Sequence, residues 1–178
     1  MSESRITIGP VIFNFPHLLE AHTNDPAKPA KFSAMIVIDK SDTKTLNAID
    51  AAIKSVFEST NGKEKLGKST LKTIRLPLRD GEEKDAEDLQ DKMFFNCSSK
   101  RRPEIVGIDR QPILDESEIY SGMIGYVSIN LFAFNQNKSK GIGVGLNNVM
   151  RTADGVRFGG GATTAASDFA DIDVEDIL

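Results

Sequence analysis

The chain has 178 residues, 39% of them hydrophobic, enough for one packed domain with or without a tail; no stretch approaches the roughly 18 apolar residues of a membrane span. The polar start, Met1-Ser2-Glu3-Ser4-Arg5, lacks the apolar region of a secretory leader, so a cytosolic setting is expected. A net charge of −4 argues at first against a nucleic-acid partner, yet residues 167–178 hold five acids and no base, leaving 22 bases against 21 acids elsewhere.

Residues 5–15 carry two short β-like runs, Ile6-Thr7-Ile8 and Val11 to Phe15, parted by Gly9-Pro10, a pair that suggests a bulge or bend. Pro26 and Pro29 mark a loop over 21–30. Lys31 to Ile38 starts in alternation and ends almost wholly apolar, as a central strand does. Asp42 is placed to cap a helix whose apolar face is Leu46, Ile49, Ile53, Val56 and Phe57, with Asn61-Gly62 as its expected end. Residues 61–72 are lysine-rich and expected to be exposed. Leu76 to Gly81 bears a turn, and Glu82 to Asp91 reads as a solvated loop or short helix. Met93 to Ser99 is a strand that runs into Lys100-Arg101-Arg102-Pro103, and residues 104–119 look irregular. Gly125 to Phe134 is the clearest strand, and Ile142 to Leu146 pairs back on it across a polar turn. After the Asp154-Gly155 turn, Gly159-Gly160-Gly161 opens a small-residue linker through Ala166. The order of strands, one main helix and more strands fits a small barrel better than a βαβ sheet.

The single cysteine, Cys97, excludes an internal disulfide and reads as a buried, inert thiol. His17 and His22 have no cysteines at metal-ligand spacing, so no metal site and no cofactor are expected.

Binding chemistry is read from parity. In the strand at 126–134, Val127, Ile129, Leu131 and Ala133 share a face that suits a core, while Tyr126, Ser128, Asn130, Phe132 and Phe134 share the other. Rings mixed with hydrogen-bonding groups suit unstacked bases, because every base has a π-face and stacking is worth roughly 1–3 kcal/mol per base. Packing of Phe132 and Phe134 under a loop or a second subunit is the alternative. In the strand at 93–102, Phe94, Asn96, Ser98, Lys100 and Arg102 share one face. Lys100, Arg101 and Arg102 form the densest basic cluster, able to track a phosphate backbone, or else a solvated loop. Lys31, Arg75, Arg79, Lys138 and Lys140 lie near strand ends. Gly141-Ile142-Gly143-Val144-Gly145 lacks the endings of phosphate-binding loops; its alternate glycines leave one face bare, so that a backbone or base could approach closely, with barrel curvature as the preferred reason. Asp80, Asp109 and Asp154 sit beside turn residues, where carboxylates cap backbone groups, and no catalytic set can be assembled.

The end of the chain interleaves acids with apolar residues: Asp168, Phe169, Asp171, Asp173, Glu175, Asp176, Ile177 and Leu178. A disordered segment of this kind can occupy a cationic groove in place of DNA, or dock its apolar end into a partner protein.

A further set of stretches runs along nearly the whole chain: Lys31-Phe32-Ser33 through Ile38-Asp39-Lys40-Ser41-Asp42, Leu76-Pro77-Leu78-Arg79-Asp80-Gly81 and Asn96 to Pro103, then Glu118-Ile119-Tyr120-Ser121-Gly122-Met123, Gly141 to Asn147-Asn148-Val149, and Asp154-Gly155 to Asp168-Phe169. In their order and spacing the sequence resembles a phage family of single-stranded DNA-binding proteins. The resemblance implies an OB-fold, sequence-independent binding of single strands, an acidic C-terminus that recruits replication or recombination proteins of phage or host, and a homodimer in the host cytoplasm. The expected architecture is therefore a mainly β, five-stranded OB-like barrel over 1–158 with one main helix, followed by a linker and acidic interaction tail over 159–178. Expected DNA contacts are stacking by Phe94, Tyr126, Phe132 and Phe134, with Lys31, Arg75, Lys100, Arg101, Arg102 and Lys140 on phosphates. A small metal-dependent nuclease and a phage structural protein are the alternatives.

Overall fold

The computed structural model describes residues 5–23, 25–84, 89–136 and 139–155. Lys138 and the linker and tail from 159 to 178, with the acidic and apolar residues from Asp168 to Leu178, lie outside them. In chain order the elements are β1 (Arg5–His22), β2 (Lys31–Asp39), α1 (Thr43–Glu58), α2 (Thr60–Leu66), β3 (Arg79–Asp80), β4 (Lys92–Ser99), β5 (Glu104–Val106), β6 (Ile124–Gln136) and β7 (Ser139–Ala153). β2 pairs antiparallel with β1 and β4, and β6 pairs antiparallel with β1 and β7. A parallel contact between Ser98 of β4 and Gly145 of β7 closes the ring. The circuit β1-β2-β4-β7-β6 is the five-stranded Greek-key barrel of the OB-fold.

Alternation fills this barrel. Ile36 and Ile38 of β2, Phe95 and Cys97 of β4, Val127, Ile129 and Leu131 of β6, and Ile142, Val144 and Leu146 of β7 all point inward and are buried. Burying each such large side chain is worth about 1.5–3 kcal/mol. The Cys97 thiol donates to the Ala34 carbonyl, and burial pushes its pKa up to about 12, so it is the inert thiol expected. Helix α1 covers the barrel with Ile49, Ile53 and Val56, and the Asp42 carboxylate caps it by accepting from the Thr45 N–H at 3.2 Å. Among the described residues no helix is long and apolar enough to cross a membrane.

The structure departs from expectation in four places. β1 continues past Phe15 to His22, bending where its register with β2 shifts, and it buries Leu18 on the way. The long helix breaks at Ser59 and not at Asn61-Gly62, so there are two helices. Ser59 is extended; its N–H bonds the Val56 carbonyl and its hydroxyl accepts from the Gly62 N–H at 2.9 Å. Gly62 is a crossing point, because a Cβ there would run into the Val56 carbonyl oxygen with that of Phe57 at 2.9 Å. Residues 104–106, read as irregular, form a short parallel strand on β7.

The fourth departure is the strap between α2 and β3. Leu66 and Ile74 are buried, and the backbone of Arg75 inserts beside β7, donating to the Lys140 carbonyl at 2.9 Å and accepting from the Ile142 N–H at 2.9 Å. The strap therefore closes the wall where β4 and β7 have parted. It can approach because residue 141 is glycine: a Cβ there would lie 2.5 Å from the Arg75 carbonyl oxygen.

Gly62→Ala should cost about 1–3 kcal/mol by forcing α1 and α2 apart. Urea unfolding measures this, and a change under about 0.5 kcal/mol would mean that the helices do not cross so closely.

Candidate nucleic-acid interface

The outer wall of β6 and β7 is built from rings laid over glycines. Phe134 is opposite Gly141, Phe132 opposite Gly143 and Asn130 opposite Gly145. Each side chain covers the bare backbone across from it: a Cβ on Gly143 would meet Phe132 Cζ at 2.7 Å, and one on Gly141 would meet Phe134 Cζ at 3.0 Å. Tyr126 does the same on the other side, where a Cβ on Gly9 of β1 would lie 2.5 Å from its Cδ2. The bare glycine face inferred from the sequence is thus real, and aromatic rings occupy it. Phe132 is 44% and Tyr126 39% exposed, while Phe134 is half-buried. Between them Ser128 and Asn130 supply hydrogen-bonding groups, and Thr7 and the exposed Arg5 lie cross-strand from these two on the same face.

Around the barrel, on the far side of the Ser98–Gly145 contact, lies a hollow of about 540 Å³ lined by Phe15, His17, His22, Ser33, Met35, Asn96 and Ser98 among others. His17 and His22 stack in it, their centroids 4.0 Å apart. Burial and then the neighbouring His22 hold the pKa of His17 below the ordinary histidine value. Phe15 is 56% exposed. Its φ of 48° is rare for a large side chain, and the Asn14 carboxamide oxygen at 3.0 Å and the Ser121 hydroxyl at 2.9 Å accept from its N–H. Ser98 is cross-strand from Ser33 and beside Gly145, so the hollow and the ring wall meet along one seam.

The cations named from the sequence fall into separate groups. Lys31 sits cross-strand from His22 at the rim of the hollow, and Lys100 and Arg101 are exposed in the turn that ends β4. Arg102 lines a different hollow, of about 460 Å³, with Leu19, Glu104 and Leu114. Arg75 and Lys140 are exposed at the Phe134 end of the ring wall.

Phe94 is corrected outright. It has the outward parity expected of it, but it is only 1% exposed. Leu89, from the charged loop before β4, packs on it together with Val37, and the Arg79 and Lys84 cations lie 5.8 and 6.0 Å from its ring. It belongs to a second small apolar cluster on the outside of the barrel and offers no face to a base.

The acidic turn residues do what turn chemistry asks. Asp80 accepts from the Glu82 N–H and Asp109 from the Gln111 N–H, whereas Asp154 pairs with Arg151 and accepts from the Tyr120 hydroxyl. Among the described residues no three His, Cys, Asp or Glu side chains converge as a metal site.

Two residues of this surface were missed by sequence reasoning. Arg5 was legible in the alternation Arg5-Ile6-Thr7-Ile8, which turns the isoleucines inward. Phe15 was not, because it shares parity with the buried Val11 and Phe13 and only the positive φ turns it out.

Comparison with known proteins gives a consistent picture. The family described as Enterobacter phage Enc34, ssDNA-binding protein, matches residues 4–178. Protein p50 of Acyrthosiphon pisum secondary endosymbiont phage 1 is 26% identical over 173 residues, covering 94% of each chain. The single-stranded DNA-binding protein of bacteriophage Enc34, solved in complex with ssDNA, superposes with a TM-score of 0.75 at 20% identity over 88% of this chain and 90% of that one. The single-stranded DNA-binding protein gp2.5 of bacteriophage T7 has a TM-score of 0.63 at 10% identity, covering 92% and 99%.

The two phenylalanine environments predict unequal stability costs. Phe94→Ala should destabilise by about 3–5 kcal/mol, and Phe132→Ala by under about 1 kcal/mol, the range of an exposed cross-strand pair. Chemical unfolding of both variants reads this, and equal costs would mean that the two rings are equally covered.

Proposed function

The chain belongs to the family of the single-stranded DNA-binding protein of Enterobacter phage Enc34, and from that membership we propose that it binds single-stranded DNA along the outer wall of its barrel without reading sequence. The observation that carries this reading is the row of rings over glycines. A part-exposed ring over bare backbone offers aromatic surface, and a base stacks on such a surface whatever its identity. Phe132, Phe134 and Tyr126 take this role. Arg5, Arg75, Lys100, Arg101 and Lys140, with Lys31 at the rim, neutralise phosphates around them. In OB barrels nucleic acid crosses the second and third barrel strands and the loops beside them. Here those strands are β2 and β4, whose residues line the hollow with Phe15, so the strand's path runs from that hollow over the seam onto β6.

The acidic tail is the second part of the reading. Five acids and a terminal Ile177-Leu178 fit a segment that competes with DNA for the cationic surface and hands the apolar end to a partner protein. In this account the protein is not an enzyme. It covers single strands during phage replication or recombination in the host cytoplasm, works as a homodimer, and recruits phage or host proteins through residues 168–178.

Fluorescence titration with oligo-dT tests the ring wall. Phe132→Ala and Tyr126→Ala should each weaken binding by roughly 1–3 kcal/mol, and affinity should fall as salt rises; variants that bind like the parent protein would remove the stacking role. Deleting residues 167–178 should tighten oligo-dT binding in the same assay, and looser binding would end the competition account.

A further inference from the structure

We propose that the lysine-rich surface formed by α2 and the strap after it, Lys63, Lys65, Lys68 and Lys72, is an additional binding site for the DNA phosphate backbone that carries the strand on beyond the rings. This rests on the single-strand-binding reading above and adds a site to it. Residues 61–79 contain six cations against one acid, Glu64, whereas the rest of residues 1–166 holds 16 bases against 20 acids. All four lysines are exposed, and none forms an ion pair among the described residues. Some other cations are covered by acids, Lys40 by Asp80 and Glu82, Lys92 by Asp39 and Arg151 by Asp154, whereas of the six cations in 61–79 one is paired among the described residues, Arg79 with Glu83. The fold thus leaves uncovered charge on this surface, which suits an anionic ligand brought by another molecule.

The surface is continuous with the ring wall. The strap leaves α2 at Gly67, where a Cβ would lie 3.9 Å from the Lys140 ammonium. It ends at Arg75, whose Cβ lies 2.8 Å from the position a Cβ on Gly141 would take, under Phe134. A backbone leaving Phe134 therefore meets Arg75 and Lys140 first and the strap next, with Lys68 directly after Gly67, Lys72 within the strap, and Lys63 and Lys65 on the helix that leads into it. The strap is also held in shape. Leu66 and Ile74 are buried at its ends, and Thr73 ties back to Thr70 through backbone and hydroxyl hydrogen bonds. Its charges stand on an anchored segment, and anchoring reduces the entropy lost when a strand binds. Lysines without base-stacking rings among them recognise phosphate spacing alone, so this site adds length and salt dependence and no sequence preference.

The test compares the full-length protein with the quadruple variant Lys63→Gln, Lys65→Gln, Lys68→Gln, Lys72→Gln. Both are titrated with oligo-dT of about 8 and about 24 nucleotides, one within and one beyond the roughly 4–16-nucleotide site sizes of single OB-folds, over a series of salt concentrations. The parent protein should bind the longer strand more tightly and with a steeper salt slope. On that strand the variant should lose up to about 3 units of the log–log slope, at roughly 0.7 per phosphate contact, while matching the parent on the short strand. The corresponding quadruple Lys→Arg variant should keep the parent slope. Coincident slopes on the long strand would overturn the proposal, and so would an equal loss on both lengths, which a general charge effect or a disturbed fold produces. If the parent binds neither oligonucleotide, the single-strand reading itself fails.

Discussion

On the outside of β7, positions 141, 143 and 145 carry no side chain, and the wall's properties follow from how that bare strip is covered. Exposed backbone in a strand is costly unless something shields it, and here the shields are Phe134, Phe132 and Asn130 from the neighbouring strand. Over these glycines Phe132 is 44% and Tyr126 39% exposed. The covering that shields the strand leaves aromatic surface in water, and exposed apolar surface of this kind marks a place of contact with another molecule. Tyr126 over Gly9 repeats the arrangement on the β1 side.

The same glycines let the barrel close. β4 and β7 are in register at Ser98 and Gly145, and the wall beyond is completed by the backbone of Arg75 against Gly141. A side chain at 141 would push out both the strap and the ring above it. One residue therefore couples barrel closure, the position of Phe134 and the place where cations meet the rings. The hollow on the other side of the seam is organised by a different device: the positive φ at Phe15, held by Asn14 and Ser121, turns a ring outward from a strand whose neighbours turn inward.

Much of this was legible in the sequence wherever one strand's alternation decides the outcome. The split of β6 into Val127, Ile129, Leu131 and Ala133 against Tyr126, Phe132 and Phe134 is a property of the pleat, and the Asp42 cap and the apolar face of α1 are equally local. What could not be read were contacts between separate elements, even elements adjacent in sequence. Phe94 has outward parity, but Leu89 from the loop before β4 covers it, and no pattern within β4 records that. Gly62 has the look of a helix stop and serves as a crossing point, because the residue it must clear, Val56, lies on the other helix. The lysines of 61–72 were recognised as exposed, yet their connection to the ring wall depends on the Arg75–Gly141 pairing, which is formed by tertiary contact alone.

Family membership and the ring wall converge on one account, in which stacking supplies contact without sequence preference and flanking cations supply salt-dependent attraction. The most direct measurement is photo-crosslinking of the intact protein to oligonucleotides carrying 5-iodouracil, with the modified residues located by mass spectrometry. The account expects adducts on Tyr126, Phe132 and Phe134, and on Phe15 in the adjoining hollow. Adducts confined to the face covered by α1, with none on β6, would contradict it.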